Sequence, residues 1–173
     1  LDLVAAAAEP LLDAHPALRL VVQLLAGRAG DAGNAGSALR ALAARCPRLE
    51  IIEGYLSGDA FRTLLASGHG VILPYRRTPY GCSTSGVLAQ AMALGRPAVV
   101  SEGTIPAAEL ARLGGPGVLF DGGTAGSLVD AVTALLADLP LLRARARMAR
   151  TLWRRDHGAD RLADFLLAHA PRP

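Results

Sequence analysis

The sequence predicts an α/β fold, a doubly wound parallel sheet with a helical carboxyl-terminal tail. Three observations carry this reading. Short apolar runs alternate with helix-period segments through residues 1–124. The chain is 51% hydrophobic but only 4% aromatic, so its core is built from Ala, Leu and Val, which suits helices packed closely on a sheet. From Ala125 onward the pattern is purely helical. The expected organisation is therefore one domain, residues 1–124, with the helices of 125–173 packed on it.

The elements follow in order. Leu1 to His15 reads as a helix stopped by Pro16, and Leu18 to Leu25, largely apolar apart from Arg19 and Gln23, is expected as a strand buried on both faces. Gly27 to Gly36 forms a loop. Ser37 is the expected N-cap of a helix that runs to Cys46 and ends at Pro47, ahead of a strand at Leu49 to Glu53. Asp59 opens a third helix through Ala66, and Gly68 to Gly70 turns the chain into a strand that starts at Val71 and closes at Pro74.

The most informative stretch follows. In VILPYRRTPYGCSTSGVLAQAMALGRPAVVSEG, a strand leads through a polar loop into a helix, and Gly95 and Pro97 punctuate the next strand at Ala98. Such a unit sets a helix N-terminus, with unpaired N–H groups and partial positive charge, at the carboxyl edge of a parallel sheet, where anionic ligands bind. Pro106 to Leu113 is a short helix, Gly114 to Gly117 a turn and Val118 to Phe120 a short edge strand. Leu128, Val132, Leu135 and Leu136 then share a helix face, Pro140 restarts the chain, and helices follow over Leu142 to Leu152 and Asp160 to Ala168.

Sheets of this kind ordinarily open on a strand, whereas this sequence opens in a helix. The expectation is that a leading strand lies upstream of Leu1 or comes from a partner.

Composition narrows the chemistry. All 18 basic residues are arginine, so lysine imine chemistry is excluded, and with 15 acidic residues the formal charge of +3 gives no argument for nucleic acid. Cys46 and Cys82 lie far apart without metal-ligand spacing, which fits a reduced, cytoplasmic chain. No apolar run reaches the roughly 20 residues of a membrane-spanning helix. His15, His69, His157 and His169 are scattered, and no His adjoins Cys82 to activate it as a nucleophile. The arginine run Arg143, Arg145, Arg147, Arg150, Arg154 and Arg155 lies on a helix whose other face carries Leu142, Met148 and Leu152. This amphipathic pattern fits a solvated helix closing the domain and also a peripheral contact with anionic lipid.

The block LPYRRTPYGCSTSGVLAQAMALGRPAVVSEG, followed by GPGVLFDGG and the helix AGSLVDAVTALLADL, resembles the carboxyl-terminal, donor-binding domain of retaining glycosyltransferases with the GT-B fold. These enzymes are often called glycosyltransferase group 1. The resemblance runs from Leu1 to about Trp153. It implies a Rossmann-like domain that holds a nucleoside-diphosphate sugar as substrate, needs no further cofactor and no metal, and works opposite an acceptor-binding N-terminal domain encoded upstream. The function it implies is transfer of that sugar to a hydroxyl acceptor.

Carried onto this sequence, the donor-binding positions are Arg76, Ser83, Thr84, Ser85, Gly86, Val87, Leu88 and Gln90, with Gly54 and Tyr55 near the base. Hydroxyls and backbone amides of Ser83 to Leu88 would contact phosphate, although a plain N-cap at Ser83 or Thr84 reads the same residues. Arg76 or Arg77 would reach phosphate or a sugar hydroxyl, and Tyr75 or Tyr80 would stack or act as a lid. Gly27, Arg28 and Gly30 form a weak echo of a nucleotide loop. Glu102 stands at a strand end, where it could orient a sugar hydroxyl or cap the following helix.

Two departures are specific. The family's pair of glutamates, seven residues apart, falls on Cys82 and Gln90, so one position loses an effective acceptor and the other keeps only a neutral amide. The basic pair that neutralises the diphosphate would lie upstream of Leu1. The resemblance therefore predicts no transfer from these 173 residues alone, and leaves as the alternative a non-catalytic nucleotide-binding or interaction module derived from the same fold. No catalytic residue is assigned.

Overall fold

A computed structural model describes residues 1–25, 33–76, 78 and 81–169. The elements alternate as the sequence predicts: α1 (Asp2–Ala14), β1 (Leu20–Leu24), α2 (Asn34–Arg45), β2 (Leu49–Glu53), α3 (Gly58–Ser67), β3 (Val71–Leu73), α4 (Gly86–Ala93), β4 (Ala98–Ser101), α5 (Ile105–Arg112), β5 (Gly117–Phe120), α6 (Ala125–Ala137), α7 (Leu139–His157) and α8 (Ala159–His169).

All strand pairs are parallel, but they form two sheets. β1 pairs with β2, Leu20 opposite Leu49, and the second sheet has the order β3-β4-β5, with Ala98 opposite both Val71 and Gly117. Among the described residues β1 and β3 each have one strand neighbour.

Burial corrects one expectation. β1 is not buried on both faces: Val21 is 43% exposed, and only Leu20 and Leu24 are deeply buried.

β4 shows why the arrangement is doubly wound. Its four residues are all buried, and their side chains alternate between two cores. Val99 joins Leu11 and Leu12 of α1, Phe120 of β5, and Leu128, Val132 and Leu135 of α6. Ala98 and Val100 join Leu88, Ala91 and Met92 of α4, Leu110 of α5 and Ala149 of α7. Helices thus cover both faces of the three-stranded sheet, and the first core also takes Leu20, Leu24 and Leu49 from the two-stranded sheet.

Gly117 allows the close approach of β4 and β5. A β-carbon there would fall inside contact distance of the Ala98 carbonyl oxygen and within 3.0 Å of the Ala98 nitrogen.

The helix starts are set by local chemistry. Ser57, Ser85, Thr104 and Thr124 cap α3, α4, α5 and α6, each hydroxyl accepting a backbone N–H three residues on. Ser37 does not cap α2: the helix starts at Asn34 after Gly33, and the Ser37 N–H donates to the Gly33 carbonyl (3.2 Å) from inside the first turn. Pro140 sits in the first turn of α7, where its missing N–H costs no helical bond. No single helix among the described residues is long and apolar enough to cross a membrane.

Candidate functional site

The site is built where β3 ends and α4 begins. β3 stops at Leu73 because Pro74 has no N–H to continue the ladder, and the chain passes through Tyr75 and Arg76 toward α4. Arg77 and Tyr80 lie outside the described residues, as do Gly27, Arg28 and Gly30.

Ser85 organises the helix start. Its Oγ accepts from the Leu88 N–H (3.1 Å) and lies 2.7 Å from the Tyr75 hydroxyl, with which it shares a hydrogen bond. The residue is only 9% exposed. The Ala89 N–H donates to the Ser85 carbonyl (3.0 Å), closing the first helical turn.

The four N–H groups that α4 leaves without a helical partner are those of Ser85, Gly86, Val87 and Leu88; the cap takes Leu88's, and Ala89's makes the first helical bond. Among the described residues nothing accepts from the amides of Gly86 and Val87. The sequence reading assigned phosphate contact to Ser85 and Leu88 as well. The structure instead commits both to holding the helix end, and Leu88's side chain is buried in the core.

Gly86 is exposed, and a β-carbon placed there would meet nothing within 4 Å, so a ligand has room to approach the amides. Thr84 is exposed and Ser83 half-buried beside it. Gln90 lies one turn further along α4, exposed on the same side as Gly86. The opposite side of the helix buries Leu88, Ala91 and Met92. Cys82 is exposed in the loop, and neither it nor Cys46 forms a disulfide.

Arg76 reaches the N-terminus of α1, where its Nη2 donates to Asp2 Oδ2 (3.0 Å). The arginine side chain is 79% exposed. An ion pair so open to solvent holds its members weakly, so the guanidinium is free to re-engage.

Gly54 stands apart from this cluster, at the end of β2. Its φ of +81° turns the chain out of the strand, its N–H donates to the Leu24 carbonyl (2.7 Å), and its carbonyl accepts from the Gln23 side-chain amide (2.8 Å). These bonds fasten β2 to β1. Tyr55 beside it is fully outside the core, 78% exposed.

Glu102 does not cap the next helix. Thr104 does so, accepting from the Ala107 N–H (3.2 Å) while donating to the Ser101 carbonyl (2.8 Å).

Two features escaped the sequence reading. A cleft of about 290 Å³ opens on the carboxyl edge of the three-stranded sheet, lined by Tyr75, Arg76, Asp121, Gly122 and Gly123. The signal for it was the Asp-Gly-Gly turn after a strand, which had been noted only as a motif. The other is an ion network joining α5 to the end of α7. Arg112 donates to Glu109 (2.7 Å) and Asp156 (3.1 Å), and Arg155 donates to the other oxygen of Asp156 (2.8 Å). The bonds from Arg155 and Arg112 hold the Asp156 carboxyl below its usual range.

A cavity of about 350 Å³ between α7 and α8, lined by Asp156, His157, Gly158, Arg161 and Phe165, is larger than the cleft. Its carboxylate is already committed to two arginines, so the smaller cleft beside α4 is the better ligand site. No group of three or more potential metal ligands occurs among the described residues.

A parallel sheet covered by helices on both faces, with a capped helix opening at its carboxyl edge, defines a Rossmann-like domain. Residues 1–138 match the family described as Glycosyl transferases group 1, and the chain belongs to that family. Among solved structures, a sucrose-phosphate synthase from Thermosynechococcus elongatus matches with a TM-score of 0.63 at 17% identity, over 98% of this chain and 43% of that one. At this identity the likeness establishes the fold, and the chain spans less than half the length of that structure. None of the curated proteins matches the sequence significantly.

Proposed function

We propose that the chain is the donor-binding half of a glycosyltransferase, holding a nucleoside-diphosphate sugar while an acceptor hydroxyl, brought by a separate domain, attacks the anomeric carbon with retention. The observation that carries this reading is the pair of open amides at Gly86 and Val87, on a helix whose own cap is satisfied by Ser85 and whose approach is unobstructed.

Two N–H donors and the positive end of α4 would hold the diphosphate and stabilise the charge that develops as it leaves. Thr84 and Ser83 would add hydroxyl contacts, Arg76 would swing from Asp2 to the phosphates, and Gln90 would bind a ribose hydroxyl. Membership in the glycosyltransferase family supports transfer as the activity of the whole protein.

The substitution of Cys82 and Gln90 for the expected carboxylates favours a second reading, a nucleotide-binding module that does no chemistry. Isothermal titration with UDP, GDP and ADP tests donor binding. The proposal expects saturable heat from at least one of them, and heat from none, with the fold intact, removes it. Transfer assays on the whole protein separate the two readings: an active parent supports transfer, an inactive parent that still binds nucleotide supports the module, and an active parent left unchanged by C82E and Q90E shows that these positions do not carry the glutamates' role.

A further inference from the structure

The Asp-Gly-Gly turn after β5 has no part in the reading above, although it stands beside the proposed phosphate site. Tyr75 links the two. Its hydroxyl bonds the cap residue Ser85, and the same residue lines the cleft formed with Arg76, Asp121, Gly122 and Gly123. One tyrosine side chain therefore separates the cleft from the start of α4.

The cleft has a built interior. Gly122 packs so closely on β4 that a β-carbon there would stand 3.3 Å from Ser101 Cβ, 3.4 Å from Ser101 Oγ and 3.7 Å from the Tyr75 carbonyl oxygen. Ser101 is completely buried beneath it, and among the described residues its Oγ has no hydrogen-bond partner. A buried hydroxyl without a partner is a cost that native structures rarely leave without a use. On the wall, Asp121 Oδ1 accepts from the Gly123 N–H (3.3 Å), and among the described residues Oδ2 takes no bond. Arg76 lines the same space with five donors, one of them engaged by Asp2.

With one aspartate and one arginine in its lining, the cleft is close to neutral. A second phosphate would meet the negative charge of Asp121. A polyhydroxyl ring suits both walls, because each hydroxyl can donate to the carboxylate and accept from the guanidinium. The volume of about 290 Å³ is at the small end of ligand pockets, the scale of one ring.

We infer that this cleft seats the sugar ring of the donor, with Asp121 as the residue that accepts from a ring hydroxyl and fixes which sugar is held. The inference rests on the donor-binding reading. It adds Asp121, Ser101 and Gly122 to the site.

The test compares each nucleotide with its sugar form, UDP with UDP-glucose, GDP with GDP-mannose and ADP with ADP-glucose, on the wild-type chain, D121N and D121A. The amide of D121N preserves the acceptor for Gly123, so this variant keeps the turn while removing the charge. For the pair that binds, the sugar form should lose about tenfold or more in affinity on D121A and less on D121N, while the bare diphosphate changes by less than twofold.

Equal weakening of sugar form and bare diphosphate would overturn the assignment, because Asp121 would then act through the fold or the phosphates. No change in either would overturn it also. In both cases donor binding at α4 would stand. If no diphosphate binds the wild-type chain, the donor reading and this inference fall together.

Discussion

Replacing Ser85 with alanine separates the structural work of the α4 start from its ligand work. The substitution removes the acceptor of the Leu88 N–H, which costs about 1 kcal/mol as a lost N-cap. It also removes the hydrogen bond between that oxygen and the partly buried Tyr75 hydroxyl (2.7 Å), for about 1 kcal/mol more. The expected loss is about 2 kcal/mol, or roughly 4–8 °C in Tm for a chain of this size. Tyr75→Phe removes the second bond and should cost about 1 kcal/mol for it. Once Ser85 is gone that bond no longer exists, so the double variant should fall short of the summed single losses by about 1 kcal/mol. Thr84→Ala, at an exposed position, should stay within about 0.5 kcal/mol. Urea titrations of the four variants measure all these quantities. Additive losses from S85A and Y75F, or equal losses from S85A and T84A, would refute the assignment of Ser85 as the cap.

Three further outcomes follow from the geometry. Gly86→Ala meets no neighbouring atom and places a better helix former in α4, so it should leave the thermal midpoint unchanged or slightly raised while weakening nucleotide binding several-fold, as read by calorimetry. Gly117→Ala drives a methyl group into the backbone of Ala98, where no side chain can yield. It should cost at least about 3 kcal/mol, seen as a large fall in the denaturation midpoint, and a loss under 1 kcal/mol would contradict the β4–β5 register. The Asp156 carboxyl is held below its ordinary value of 3.8 by Arg155 and Arg112, so the stability it contributes is present above that value and lost as the pH falls through the lowered one. Melting curves at stepped pH should show a shallower acid limb for Asp156→Asn than for the parent.

The alternation of elements was legible because Ala, Leu and Val recur with two distinct periods, and because Pro16, Pro47, Pro74 and Pro97 mark the ends of segments. The start of α2 was not. Ser37 is a good cap by type, but a cap residue is recognised only by where the first helical bond falls, and here that bond already runs from Ser37 back to Gly33. The exposure of Val21 was also hidden, since a largely apolar segment such as LRLVVQLL carries no record of which of its faces is covered.

At the site, the sequence located the polar loop and the helix that follows it. It could not divide Ser83, Thr84 and Ser85 among cap and ligand roles, because that choice depends on which hydroxyl meets Tyr75 across ten residues of loop. The cleft with Asp121 was out of reach for a related reason. Tyr75 and Asp121 are brought together only by the parallel pairing of β3 and β5 on either side of β4.

The central claim is that the Gly86 and Val87 amides receive a diphosphate, and amide-resolved nuclear magnetic resonance tests it most directly. On titration of the ¹⁵N-labelled chain with the nucleoside diphosphate that binds, the Gly86 and Val87 signals should move most, and Leu88, held by Ser85, should move less. Saturable binding that leaves Gly86 and Val87 in place while shifting residues elsewhere would contradict the account.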